Sequence, residues 1–149
     1  MRRGFSLLEF LIVLGILGFL LALATPNYLR WRAQAQLDEA ARSLAWTLQQ
    51  ARADAKRTNA TRSVRVYTSP PGWAVGNNCA SLSPSEPTFK LSGLTLITNY
   101  SPTPVDVVFT PPYGTTDAPL KKFTLKHARY ADLTRSVHVI GVTGKVVVR

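Results

Sequence analysis

Few side chains in this sequence have the types and spacing that catalysis requires. The 149 residues include one cysteine, Cys79, and two histidines, His127 and His138, which lie in strand-like stretches among basic residues. Asp106 and Asp132 lack the spacing that would bring two carboxylates onto one face for acid–base chemistry. No glycine-rich phosphate loop follows a strand, and one Cys with two His cannot build a zinc site of the usual spacing. The sequence therefore predicts a protein that is not an enzyme and needs no metal or cofactor.

The lone cysteine, Cys79, follows two asparagines in a polar loop. A single cysteine cannot form an internal disulfide, which excludes the disulfide-rich class of small secreted domains. In an oxidising compartment this thiol could cross-link two subunits. The alternative is an unpaired loop cysteine.

Positive charge is the strongest feature of the composition. Lys and Arg number 18 against 8 Asp and Glu, a net charge of +10, and the part from Pro26 onward carries +9 of it. Such a surface attracts phosphates, since binding releases their counterions. The residues predict an interface with double-stranded DNA that is not sequence-specific, the alternative being a solvated face that meets acidic neighbours. Most of the candidates fall within the last 30 residues: Lys121, Lys122, Lys126, Arg129, Arg135, Lys145 and Arg149.

The first 25 residues form a separate unit. A short basic leader, Met1-Arg2-Arg3-Gly4, precedes twenty residues, 5–24, in which only Ser6 and Glu9 are polar. Twenty helical residues span about 30 Å, the thickness of the bilayer hydrocarbon, and basic residues before such a segment hold that end in the cytoplasm. The segment is compatible with a secretory signal peptide cleaved after Ala22-Leu23-Ala24, with a plain anchor, or with a functional membrane helix.

Glu9 favours the functional helix. A carboxylate within a membrane segment costs about 2.5–3.5 kcal/mol at the bilayer centre, less near its edge, and such a residue usually has a functional partner. Neither a signal peptide nor a simple anchor needs a carboxylate at this position.

The segment Gly4-Phe5-Ser6-Leu7-Leu8-Glu9 resembles the type III signal sequence of type IV prepilins and type II secretion pseudopilins. The resemblance implies that a prepilin peptidase cuts after Gly4 and methylates the new amino group on Phe5. It implies that Glu9 acts in filament assembly and that Pro26 lies where pilin helices kink. In a filament the amine of one subunit would meet the Glu9 carboxylate of another. This pair would favour one axial offset between neighbouring subunits, because any other offset leaves a buried charge unpaired.

The helical pattern continues past Pro26. Aromatic residues and arginines at 28–32 suit a membrane–water boundary. Beyond them apolar residues recur at spacings of three and four, which predicts one face of a helix packed on a sheet: Ala33, Leu37, Ala40, Leu44, Leu48, Ala51 and Ala55. Alternating apolar stretches after residue 60 predict strands.

The sequence thus predicts an α+β fold, pilin-like, in which a long N-terminal helix packs on antiparallel β-sheet. We expect a leader at 1–4, a transmembrane and filament-core helix at 5–25, its amphipathic continuation at 26–60 and a β-rich head at 61–149. The head is similar to the GspH/FimT branch in its long helix, its Phe109–Gly114 segment and its C-terminal hairpin. In pilins of that branch from transformable bacteria a Gly-Arg-x-Arg element contributes to DNA binding, and this chain has Lys145 and Val147 at the two arginine positions.

Two functions follow from the resemblance. The first is a minor type IV pilin that binds DNA for natural transformation; the second is a minor pseudopilin of a type II secretion system that contacts exported proteins. Both imply other pilin or pseudopilin subunits and prepilin peptidase as partners. Both place the chain in the bacterial inner membrane, with a cytoplasmic N-terminus, before it enters a pilus at the cell surface or a periplasmic pseudopilus. A third alternative is a soluble secreted domain released by ordinary signal peptidase.

Overall fold

A computed structural model describes residues 6–82, 88–98, 104–116 and 120–149. One long helix, α1 (Leu7–Thr58), comes first. Ser6 caps its start, because the Ser6 Oγ accepts a hydrogen bond of 3.2 Å from the backbone N–H of Glu9. The helix ends at Asn59, which adopts the left-handed conformation (φ 48°, ψ 38°) common at helix ends.

The two halves of α1 have different surroundings. As far as Arg32 every described side chain of the helix is exposed, whereas from Ala33 one face is buried against the strands. All seven residues of the predicted apolar face are buried, and Ala41 and Ala45 extend that face. The small alanine side chains let the strands approach the helix closely, and the leucines fill the space between them.

The strands form two four-stranded antiparallel sheets. The first sheet has the order β3-β2-β1-β5 and the second sheet the order β4-β6-β7-β8. The predicted α+β fold, a long helix packed on antiparallel sheets, is confirmed. The strand bounds are β1 (Arg62–Thr68), β2 (Pro71–Gly76), β3 (Phe89–Lys90), β4 (Leu94–Thr98), β5 (Val105–Phe109), β6 (Lys121–His127), β7 (Thr134–Ile140) and β8 (Lys145–Val148).

Both sheets share one hydrophobic core with α1. Trp73 and Phe109 of the first sheet and Phe123 of the second are fully buried in it. The Trp73 Nε1–H donates a hydrogen bond of 3.2 Å to the Thr47 Oγ1 of the helix, so the largest core side chain also satisfies its polar atom. Each sheet therefore depends on the helix for one wall of its core.

Two turns approach the helix closely near Arg52. Gly114 and Gly144 have φ values of +63° and +61°. A Cβ on Gly144 would lie 2.7 Å from the Gly114 carbonyl oxygen, and a Cβ on Gly114 would lie 2.8 Å from the Arg52 Cγ. The Arg52 Nε–H donates to the Gly114 carbonyl at 3.2 Å, so a loop from each sheet and the helix meet at one junction. Glycine fits both positions because it tolerates positive φ and leaves room for the neighbouring backbone.

Candidate functional site

The apolar half of α1 begins with the residues that the sequence singled out. Gly4 and Phe5, the predicted cleavage and methylation positions, and the whole 1–4 leader lie outside the described residues. Glu9 lies in the first turn of the helix, with its backbone N–H bonded to Ser6. A carboxylate there is favoured by the partial positive charge of the helix N-terminus. Ser6 and Glu9 have the S-x-x-E spacing of a helix N-terminus, a role that the membrane argument alone had not assigned to them.

Apolar residues follow Glu9, and the large side chains among them are exposed as far as Leu23. The helix is long and apolar enough to cross a membrane, and no part of its most apolar stretch is buried against the rest of the chain. Pro26 lies inside the continuous helix. Proline has no N–H to donate to the preceding turn, and the Thr25 Oγ1–H bonds the Leu21 carbonyl at 2.7 Å beside it. A bend at Pro26 stays a prediction.

The second sheet separates the predicted basic cluster into two faces. Lys121 pairs with Val139, and Arg135 pairs with Leu125, so both basic side chains lie at inward-facing positions. Lys121 is buried, and its Nζ donates to the backbone carbonyl of Asp106 in the first sheet. The Arg135 Nε–H donates to the Asp38 Oδ1 of the helix at 2.5 Å. These two cations hold the head together and are not available to a nucleic acid.

Four of the predicted cations share the outward face of the same sheet. Lys122 pairs with His138, which pairs in turn with Val147, and Arg149 exchanges two backbone hydrogen bonds of 2.8 Å with Ser136. Residues directly opposite on neighbouring strands point to the same side. This basic face comprises Lys122, Lys126, Lys145 and Arg149, and none of its four strands contains an Asp or Glu. Lys145 and Arg149 lie about 13 Å apart along β8.

His138 occupies the middle of the basic face. Its Nε2 lies 2.9 Å from the Ser136 Oγ. Burial, followed by the charges of Lys122 and Arg149, lowers the pKa of His138 below its ordinary 6.5, so the ring is neutral at pH 7. A shallow groove of about 390 Å³ adjoins it, lined by Leu120, Ile140 and Val147 together with His138 and Arg149.

Arg129, the remaining predicted cation, lies away from the basic face. It is in the turn between β6 and β7, beside the helix, in a cleft that Arg32 and Tyr130 also line. The Arg30 Nη2–H donates to the Asp132 Oδ2 of this turn at 2.6 Å. Arg129 and Tyr130 are therefore at the other end of the sheet from Lys145.

The outward face of the first sheet carries an ion pair. Arg65 and Asp106 pair through two hydrogen bonds of 2.7 Å, and the Arg65 Nη1–H also donates to the Leu82 carbonyl at 3.3 Å. The guanidinium holds the pKa of Asp106 below its ordinary 3.8. Cys79 is a free, half-buried cysteine next to this pair, and burial raises the pKa of its thiol. A thiol of raised pKa is a poor nucleophile, which favours the unpaired loop cysteine over a reactive one.

Changing Asp106 to Asn should destabilise the head by about 1–3 kcal/mol, because charge-assisted hydrogen bonds are lost. A carboxyl whose folded pKa is lowered stabilises the fold above its unfolded pKa, near 4, and loses that effect as the pH falls through the folded pKa. The stability difference between wild type and Asp106→Asn should therefore be full at pH 5 and shrink toward pH 2. Urea unfolding across this range measures it, and a difference independent of pH would contradict the assignment.

The described residues contain no group of three or more His, Cys, Asp or Glu side chains close enough to hold a metal ion. Cations on the basic face and apolar side chains on the first half of α1 are the two features that stand out on the described surface. Such side chains bind anions and membranes or pack against other protein surfaces.

Comparison with known proteins gives matches both in sequence and in fold. Residues 1–25 match the prokaryotic N-terminal methylation motif. The chain is 52% identical over 67 residues to the pilin-like protein PilA1 of Thermus thermophilus, which is 45% of this chain and 42% of that protein. It is 42% identical over 43 residues to the type IV major pilin protein PilA of Myxococcus xanthus, 29% of this chain and 20% of that one. The matched part spans less than half the length of these curated relatives.

The fold is similar to that of the type IV minor pilin FimU of Pseudomonas aeruginosa, which is solved in two crystal forms. In one form the TM-score is 0.58 at 23% identity, over 77% of this chain and 89% of the other. In the second form the TM-score is 0.57 at 24% identity, over 76% and 92%. This likeness concerns the arrangement of the helix and sheets.

Proposed function

We propose that this chain is a minor pilin of the type IV pilin family, a structural subunit of a filament. Prepilin peptidase cuts it after Gly4 and methylates Phe5. The helix of residues 5–25 then holds it in the inner membrane, N-terminus in the cytoplasm, until it joins other pilin subunits. The observation that carries this proposal is the division of α1, apolar and exposed through its first half and the wall of a core through its second.

The mature N-terminus tests this proposal. Mass spectrometry of the protein purified from its host membranes should give an N-terminal Phe5 that is heavier by one methyl group. The same measurement on a Gly4→Val variant is the control, since the uncut leader should be retained. A mature chain that begins at Thr25 would instead identify a secretory signal peptide and would overturn the pilin proposal.

The basic face supports a further activity, binding of double-stranded DNA during natural transformation. Lys122, Lys126, Lys145 and Arg149 present a single sign of charge on one exposed sheet face. Two arginines of the Gly-Arg-x-Arg element are replaced here, and the sheet supplies Lys122 and Lys126 on the same face instead. The register thus favours contacts with phosphates, which position a protein on DNA without reading its sequence.

Changing Lys145 and Arg149 together to Ala should weaken DNA binding and flatten its dependence on salt. The slope of log K against log salt is about −0.9 for each phosphate neutralised, so the two substitutions should reduce it by about 2 units. A truncated protein that begins at Asn27 suits the measurement, because every residue of the core cluster lies beyond that point. Fluorescence anisotropy with a labelled duplex, between 50 and about 200 mM salt, gives both quantities.

The matched control is Arg42→Ala with Lys90→Ala, which removes one Arg and one Lys from exposed positions outside the basic face. This variant should bind DNA nearly as the unchanged protein does. If both double variants lost the same DNA affinity, net charge and not the basic face would account for binding. Failure of the unchanged protein to bind at low salt would favour the pseudopilin of a type II secretion system, which contacts exported proteins in the periplasm.

A further inference from the structure

The base of the head contains a second concentration of positive charge. A cleft of about 170 Å³ lies between α1 and the β6–β7 turn, with Arg32 and Gln36 on the helix side and His127, Arg129 and Tyr130 on the turn side. Water occupies about 30 Å³ per molecule in the liquid, so the cleft has room for a group of five or six heavy atoms. A phosphate group is of this size, and arginine is the side chain that best matches it.

Two ion pairs fix the turn against the helix. Asp132 of the turn pairs with Arg30 at 2.6 Å, and Arg135 at the start of β7 pairs with Asp38 at 2.5 Å. Both nearby carboxylates are thereby already neutralised. The two ion pairs join the β6–β7 turn and the start of β7 to the helix that forms the other wall of the cleft.

The backbone of the turn is ordered around Arg129. Its backbone N–H donates to the His127 Nδ1 at 3.1 Å, which leaves the neutral ring's proton on Nε2. The rings of His127 and Tyr130 are in contact, with centroids 5.4 Å apart. Arg32 and Arg129 are exposed, and neither takes part in an ion pair with any other described residue. The cleft therefore offers two guanidinium groups to an anion.

The position of the cleft along α1 selects the kind of anion. The apolar stretch ends at residue 24, and Arg32 lies eight residues further, about 12 Å along the helix axis. The headgroup layer extends about 5–7 Å beyond the hydrocarbon on each side of a bilayer. Side chains of a helix point back toward its N-terminus, which here lies on the membrane side, so the long Arg32 side chain extends toward that layer. Tyr28 and Trp31, whose rings are 6.0 Å apart, stand between the apolar stretch and the cleft, as aromatic side chains do at membrane surfaces.

We propose that this cleft binds the headgroup phosphate of an anionic phospholipid while the subunit resides in the membrane. The proposal rests on the membrane residence of α1 that the proposed function includes. Duplex DNA offers the same phosphate chemistry, but the membrane directly below the cleft obstructs a rigid helix of DNA. A bound lipid fixes the height and tilt of the head, and departure of the subunit into a filament leaves that lipid behind.

The test uses the full-length protein in nanodiscs of phosphatidylglycerol and phosphatidylcholine in equal amounts. Native mass spectrometry counts the lipids of each kind that stay with the protein on release. Wild type should retain phosphatidylglycerol in preference. An arginine next to an anionic lipid surface contributes about fivefold to binding, so Arg32→Gln with Arg129→Gln should lower the preference by fivefold or more. Arg129→Gln alone, at an exposed turn position, should cause a smaller loss.

Arg42→Gln with Arg57→Gln is the matched control, because it removes two exposed arginines of α1 that lie further from the membrane. It should keep the wild-type preference. Equal retention of the two lipids by wild type, or an equal loss in both double variants, overturns the lipid site. Displacement of phosphatidylglycerol by an added duplex would reassign the cleft to nucleic acid. A chain that does not stay in the discs at all would instead contradict the proposed function.

Discussion

Replacing Glu9 with Val is expected to leave the protein in the membrane and to remove it almost entirely from filaments. Insertion should persist because the substitution takes a costly charge out of an apolar segment. Assembly should fail because the methylated amine of a neighbouring Phe5 would be buried without its carboxylate partner. Leaving one charge of a buried pair unpaired costs about 3–5 kcal/mol, which corresponds to a loss of more than 100-fold in incorporation.

Quantitative immunoblots of sheared filaments and of membranes measure the two effects separately. Glu39→Val is the control, since Glu39 is an exposed carboxylate on the same helix but outside the apolar half. That variant should enter filaments at the wild-type level. Equal amounts of wild type and Glu9→Val in the sheared fraction would exclude the pairing of Glu9 with an amine. The remaining role of Glu9 would then be its stabilising position in the first turn of the helix.

Replacing Gly144 with Ala is expected to destabilise the head by about 2–5 kcal/mol. About 1–2 kcal/mol comes from placing a Cβ on a residue with φ of +61°, and about 1–3 kcal/mol from overpacking against the Gly114 carbonyl, which the new atom would approach to 2.7 Å. Backbone cannot move aside as a flexible side chain can. Urea and thermal unfolding of the truncated protein from Asn27 measure the loss.

Gly93→Ala separates the two contributions. Gly93 has φ of +71°, yet nothing lies within 4 Å of an added Cβ, so its substitution should cost about 1–2 kcal/mol only. The difference between the variants is the energy of the contact at the junction. If both variants lose the same stability, the close approach of the two turns contributes nothing and the junction is not a tight contact.

Much of this structure could be read from local patterns. The spacing of Ala33, Leu37 and the residues after them identified the buried face of α1, because a helix repeats every 3.6 residues whatever packs on it. The uninterrupted apolar run identified the first half of the helix, because a membrane span needs no tertiary information. The fold class followed from these two observations.

The division of the basic residues was also present in the sequence but was missed. Lys121 is two and four residues from the apolar Phe123 and Leu125, and Arg135 is two and four residues from Val137 and Val139. Residues two apart in a strand lie on the same face, so both cations lie on the inward face. Summing charges over 30 residues hides this alternation. Lys122 and Lys126 fall on the opposite face by the same rule. Of the seven candidates, four are left on one surface.

The pairing of the strands could not have been inferred in this way. β1 pairs with β5, and β4 pairs with β6, so each sheet includes one pairing between strands that are not consecutive in the chain. Such pairings depend on how several strands fit one helix face. The contact of Arg52 with the Gly114 turn also depends on the tertiary fold, because it joins residues 62 positions apart. The sequence pattern alone does not show that this arginine lies at the edge of the core. β3, with two residues, is too short to give any pattern.

The shared use of α1 by both sheets sets an order of events during biosynthesis. If the residues beyond the membrane helix are exported in chain order, the alanines and leucines of residues 33–55 emerge first, without the strands that cover them. Val146 of β8 packs against the same core, so the cover stays incomplete until this late strand has also been exported. The head therefore folds only after nearly all of its residues are outside. During that interval the uncovered helix face would aggregate or be degraded unless it stayed close to the membrane surface or to a chaperone.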